Sequence, residues 1–209
     1  MFIGVIGVDN AYKQAIRTDS EITRGHMNPS AINSFNKDFM TATFTLTNAV
    51  PQFKASNCGP WQEFETKIVD YAKDICGPSG GTLYLLTGRS ENGIIPDHLN
   101  SGKVVQDVPK PTVINKFGSV NLLTPRSVWT AGCCLWTEPG RVLGSPRPAR
   151  RAQSFAVMSN NQKDKDELYQ TQMSVRELEE LLRDQNSAAV NLFPGDENCR
   201  NPANNIKRL

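Results

Sequence analysis

The chain holds two histidines, His26 and His98. His98 lies in Pro96-Asp97-His98-Leu99-Asn100, a loop stretch with no partner pattern, and reads as a surface residue. His26 follows Arg24-Gly25 and precedes Asn28-Pro29, a tight polar turn that can present an imidazole to a cleft. A group with a pKa near neutrality there suits proton transfer. Taken alone, His26 reads equally well as a structural or surface histidine. A second cluster lies downstream: Asn48-Ala49-Val50-Pro51-Gln52, then Asn57-Cys58-Gly59-Pro60-Trp61, then Glu63 and Glu65. Asn57 can cap a helix N-terminus with its side chain. The alternative is an amide oxygen ligating a hard cation, which prefers oxygen donors and keeps several waters. Glu65 follows Asn57 by eight residues, a little over two helical turns, and could address water on the same ion.

These residues need elements to position them. Ala11, Ala15 and Ile16 give residues 10–22 a helical hint, and 23–30 form a Gly/Asn/Pro loop. Ala42–Thr47 alternates Phe44 and Leu46 with threonines and reads as a strand ended by Asn48 to Pro51. Trp61, Phe64, Ile68, Tyr71 and Ile75 recur at helical spacing, so 60–75 reads as a helix, with Pro60 in its first turn and Gly77-Pro78 at its stop. Thr82–Thr87, Ser127–Cys134 and Ser154–Met158 read as strands. Residues 90–126 and 137–153 read as loops, the latter carrying Arg141, Arg147, Arg150 and Arg151 as a candidate local basic patch or a plain solvated loop. Ser174-Val175-Arg176-Glu177 is a capping box opening a helix with Val175, Leu178, Leu181 and Leu182 on one face. Strands and helices mix without a βαβ rhythm, which predicts an α+β fold. Residues 1–197 read as one domain and 198–209 as a polar, frayed tail.

Bulk properties set limits. A chain of 209 residues can bury a proper core. A net charge of +2 does not announce a nucleic-acid binder, so any basic surface must be local. No stretch is long enough to span a membrane. The apolar start Met1–Val8 lacks a basic region and a clear cleavage site, and is not read as a signal peptide. Cys58, Cys76, Cys133, Cys134 and Cys199 form no zinc pattern. They fit two bridges with one thiol over in a secreted domain, or free buried thiols in a reduced compartment.

Taken in order, Arg24-Gly25-His26-Met27-Asn28-Pro29, Asn48-x-x-Pro51-Gln52, Asn57-x-x-x-Trp61 and Glu65 resemble the DNA/RNA non-specific endonuclease family. Ala42–Gln52, Leu83–Gly88, Val128–Cys134, Phe155–Asn160 and the Ser174 helix are similar to its endonuclease domain-containing 1 subgroup, and the likeness spans about residues 10–200. The resemblance implies a ββα-metal fold, with a central, mostly antiparallel sheet flanked by helices. It implies an Mg²⁺ site, with Mn²⁺ or Ca²⁺ as alternatives, and phosphodiester hydrolysis of DNA and RNA through phosphate contacts. By the same resemblance His26 is the general base and Asn57 the single protein ligand to the metal. Glu65 orients metal-bound water, Arg24 contacts phosphate, and Asn48 supports the loop or, less centrally, the substrate. Family enzymes are often dimers, and the subgroup is typically secreted.

Two positions depart from the family pattern. Thr23 stands where many members have Asp, and Val69 where some have a phosphate-binding Arg. Losing one such donor costs about 2.7–4 kcal/mol in catalysis. These departures open a second reading, a family member without strong catalysis that serves as a nucleic-acid or protein binding module. A cysteine nucleophile is a remote third reading, because Cys133-Cys134 sit on an apolar strand.

Overall fold

The computed structural model describes residues 6–91, 95–96, 104–105, 113–117, 120–138, 148–183 and 189–200. In chain order the elements are α1 (Ile6–Thr18), β1 (Ile22–His26), α2 (Lys37–Ala42), β2 (Ala49–Phe53), α3 (Lys54–Asn57) and α4 (Pro60–Tyr71). Then follow β3 (Thr82–Ser90), β4 (Ile95–Pro96), β5 (Val104–Val105), β6 (Val113–Phe117), β7 (Val120–Leu123), β8 (Ser127–Glu138), β9 (Ala149–Asn160), β10 (Gln170–Met173) and α5 (Val175–Leu182). The fold is α+β. Two compact units are formed, Met1–Thr66 with Thr87–Trp129 and Met158–Gln170, and Lys67–Leu86 with Thr130–Val157 and Thr171–Leu209.

In the first unit β1 and β2 pair antiparallel, His26 opposite Ala49 and Thr23 opposite Gln52. The helical turn α3 follows β2 directly and α4 begins after two intervening residues, so the chain runs strand, strand, helix. Helix α1 packs on this ribbon. Its buried face, Ala11, Tyr12 and Ala15, joins Ile22 of β1, Leu46 and Leu122 of β7 in one core cluster. Asp9 in the first turn and Arg17 in the last suit the helix dipole. β6 and β7 form an antiparallel hairpin with an irregularity between Val113 and Asn115.

The strand expected over Ala42–Thr47 is instead the end of α2, a turn and a short 3-10 turn at Leu46–Asn48, and the strand itself is Ala49–Phe53. The reason is local bonding. The Thr43 hydroxyl donates to Met40 O at 2.7 Å, and Asn48 Nδ2 donates to Thr43 O at 2.8 Å. Such side chains offer the backbone an alternative to a strand ladder. Pro51, read as a terminator, is tolerated inside β2 because a two-stranded ribbon leaves an edge unpaired by strands. That edge is closed by Asn161, whose Oδ1 accepts from Phe53 N–H at 2.9 Å and whose Nδ2 donates to Pro51 O at 3.2 Å.

A four-stranded sheet has the order β10-β9-β8-β3. The first eight residues of β8 are all buried, the polar Ser127 and Thr130 included, which explains the lack of apolar-polar alternation there. The segments read as loops also yield strands. The 90–126 region holds β4–β5 and β6–β7, and within 137–153 β8 extends to Glu138 while β9 starts at Ala149. Thus Arg150 and Arg151 lie on a strand, paired with Asp196 (2.9 Å) and Glu138 (3.0 Å). His98, Arg141 and Arg147 lie outside the described residues.

The second unit carries both disulfides, Cys76–Cys134 and Cys133–Cys199. Consecutive strand residues point to opposite faces, so adjacent cysteines on β8 reach two different partners. Closing loops of 58 and 66 residues stabilises by about 4 kcal/mol each in a chain-entropy account. The capping box forms as read: the Glu177 N–H donates to Ser174 Oγ at 3.1 Å, and the Ser174 N–H to Glu177 Oε2 at 2.7 Å. Residues 198–200, read above as tail, are held in place. Cys199 is bridged, and Arg200 Nε donates to the buried Glu179 carboxylate at 2.7 Å. Residues 201–209 lie outside the described residues.

Candidate active site

The Arg-Gly-His run forms the end of β1, and its glycine is required there. A Cβ on Gly25 would run into the side-chain oxygen of Gln52. Gln52 is fully buried and donates through Nε2 to Ser56 Oγ at 3.1 Å, so it cannot step aside. The run is thereby locked against β2.

His26 is half-buried and meets the Phe44 ring edge-on, with centroids 5.0 Å apart. Desolvation holds its pKa below the ordinary histidine value, which keeps the imidazole neutral at pH 7. The residues after it are tied down by Asn48. Asn48 Oδ1 accepts from Asn28 N–H at 2.8 Å, and its Nδ2 donates to Asn28 O at 2.9 Å and to Thr43 O. The Asn48 amide thus holds the loop rather than reaching outward.

Asn57, read as a possible cap of the following helix, is the last residue of α3, and Cys58 and Gly59 separate it from α4. Its Nδ2 donates to Thr23 Oγ1 at 3.1 Å, and that hydroxyl donates to Gln52 O at 2.7 Å. With the amide N–H so engaged, Oδ1 is the atom left to ligate. The joint to α4 depends on Gly59, where a Cβ would sit 2.6 Å from Ala55 O.

Glu65 stands in α4, one turn after the buried Trp61. Burial raises its carboxyl from 4.5 to about 7, and a hydrogen bond from the Trp61 side chain offsets part of that rise. A carboxylate in this setting is short of nearby positive charge. Val69, four residues on, adds no cation.

Arg24 is placed by α1, a contact with no signal in the motif. Its Nη2 donates to Asp9 Oδ1 at 2.8 Å, and its guanidinium carbon lies 5.3 Å from the Tyr12 ring centroid. A cavity of about 520 Å³ opens beside the hairpin, lined by Tyr12, Met27, Thr47, Val50 and Arg89 among others. Asp9 and Asn161 are the contributors that sequence reasoning missed. Only the tertiary packing of α1 and the end of β9 brings them to β1 and β2.

The family model described as DNA/RNA non-specific endonuclease matches residues 5–193. The chain is 30% identical over 142 residues to the human endonuclease domain-containing 1 protein, covering 66% of this chain and 23% of that one. It is 43% identical over 51 residues to the Xenopus laevis mitochondrial nuclease EXOG, covering 24% of this chain and 14% of the relative. The chain therefore spans less than a quarter of either relative in these matches. The solved EndoG/EndoGI complex aligns with a TM-score of 0.46 at 18% identity, over 75% of this chain and 53% of that chain.

Proposed function

The chain belongs to the DNA/RNA non-specific endonuclease family, and from that premise we propose that it is a metal-dependent, sequence-non-specific endonuclease hydrolysing phosphodiester bonds of DNA and RNA. The observation that carries this reading is the strand-strand-helix unit in which β1 bears His26 while its Thr23 fixes Asn57. His26 is the general base. Its neutral imidazole is ready to take a proton from an attacking water.

The donor set fits a hard cation, Mg²⁺ first and Mn²⁺ or Ca²⁺ next. Asn57 offers an amide oxygen, and the half-buried Glu65 carboxylate would be relieved by positive charge. Among the described residues no group of three or more His, Cys, Asp or Glu side chains forms a closed cage. This suits an ion that retains most of its waters, with Asn57 as the direct ligand and Glu65 orienting water. When bound, the ion supplies stabilisation of charge on the phosphate and the leaving oxygen. Arg24 lends a guanidinium to a substrate phosphate. Contacts to phosphate alone explain indifference to base sequence. The products carry 5′-phosphate ends.

The two disulfides favour an oxidising compartment, secretory or extracellular. Among the described residues no helix is long and apolar enough to cross a membrane. A second reading, a weak or inactive member that binds nucleic acid or protein, is favoured by Thr23 and Val69. Metal-dependent cleavage of plasmid DNA by the wild-type protein decides between the two; only the enzyme reading predicts turnover.

A further inference from the structure

The family motif contains Arg24, and a contact that orients it comes from outside the motif. The residue that makes it lies fifteen positions upstream on α1. Asp9 Oδ1 accepts from Arg24 Nη2 at 2.8 Å, and Asp9 Oδ2 faces Lys13 Nζ at 2.6 Å. The guanidinium lies against the Tyr12 ring, one turn along the same helix. Both members of the Asp9–Arg24 pair keep only 20% of their side-chain surface exposed, against 58% and 51% for the Arg89–Glu91 pair. Solvent and salt therefore screen the Asp9–Arg24 pair less. The helix that carries Asp9 is itself immobilised, with Ala11, Tyr12 and Ala15 buried in the core beside Ile22 of β1.

We infer that Asp9 is a positioning residue for Arg24, holding its guanidinium on the Tyr12 ring in the orientation that meets a nucleic-acid phosphate. This rests on the nuclease reading of the site. The physical gain is preorganisation. A long, rotamer-rich side chain ordered before the substrate arrives loses less freedom on binding. Tyr12 also lines the cavity beside the hairpin, so the held guanidinium adjoins a wall of that cavity.

The sign of the effect separates positioning from simple charge. Asp9 is an anion beside a phosphate-binding cation. Were its role only electrostatic, or a block on Arg24, Asp9→Asn would add net positive charge, tighten DNA binding and steepen its salt dependence. Positioning predicts the reverse. The test is fluorescence anisotropy of a labelled DNA duplex in EDTA across a salt series, on Asp9→Asn, Arg24→Gln, the double variant and Asp9→Glu. Each single variant is expected to weaken binding by about fivefold and to lower the salt slope by about one. The double variant is expected to match Arg24→Gln, and Asp9→Glu to recover most of the loss. Tighter binding by Asp9→Asn, or an undiminished further loss in the Arg24→Gln background, overturns the inference. Mg²⁺-dependent cleavage is measured on the same samples. Coupled binding loss without any wild-type cleavage overturns hydrolysis alone, while a wild-type protein that neither binds nor cleaves overturns both.

Discussion

The Thr23 hydroxyl accepts from the Asn57 amide at 3.1 Å while donating its own proton to Gln52 O at 2.7 Å. One small side chain therefore joins both strands of the hairpin to the residue proposed to hold the metal. A threonine can do this because a hydroxyl both donates and accepts. An aspartate, as in the family pattern, could accept from Asn57 but not donate to Gln52.

Thr23→Val keeps the shape and removes both bonds. The expected result is a stability loss of about 1–2 kcal/mol in urea unfolding and a loss of Mg²⁺-dependent cleavage of about 10–100-fold. Thr23→Ser is expected to retain most of both. Cleavage by Thr23→Val at the wild-type rate would show that Asn57 needs no such support.

Glu65 gives a signed pH dependence. Its folded pKa of about 7 exceeds the ordinary 4.5, so the folded state holds this proton more tightly than the unfolded chain. The stability linked to it is fully present below about pH 4.5 and is lost as pH rises through about 7. Glu65→Gln removes that loss. The variant is expected to exceed wild type at about pH 8 by on the order of 2 kcal/mol, and to match it near pH 4. His26 acts in the opposite sense: its depressed pKa gives stability present above the ordinary histidine value and lost as pH falls through the folded value.

A cation beside the Glu65 carboxylate competes with that proton. Millimolar Mg²⁺ should therefore raise the wild-type Tm more near pH 8 than near pH 5, and Asn57→Ala should abolish the rise. A Tm indifferent to Mg²⁺ at both pH values argues against a cation at this site.

Parts of this architecture were legible in the sequence, and the reasons are physical. Trp61, Phe64, Ile68 and Tyr71 are each 2% exposed, so the periodicity read over 60–75 was the buried face of α4 as far as Tyr71, beyond which Ala72–Cys76 continue as a π-helical turn. The capping box at Ser174 is a purely local signal and formed as read. The hairpin strand was misplaced because alternating threonines imitate a strand and Pro51 imitates a stop, while the tolerance of Pro51 depends on Asn161, more than a hundred residues away. Arg24, Asn57 and Glu65 could be picked out as types at spacings. Their settings, with Asp9 on Arg24 and Thr23 on Asn57, come from packing that no linear pattern encodes.

The bridges make a compositional prediction. Cys58 is exposed and unbridged while the other four cysteines are paired. Alkylation of the native protein should label one thiol, and alkylation after reduction and unfolding should label all five. Reduction should lower the Tm sharply, since each bridge contributes about 4 kcal/mol. Mass spectrometry showing three or more native thiols would contradict this pairing.

The central claim is tested most directly by plasmid degradation in Mg²⁺ and in EDTA, comparing wild type with His26→Ala. The expected result is cleavage by wild type in Mg²⁺ only, with His26→Ala slower by on the order of 10²–10⁴-fold and melting as wild type does. Wild-type protein that shows no metal-dependent cleavage, or a His26→Ala variant that cuts at full rate, would contradict the account.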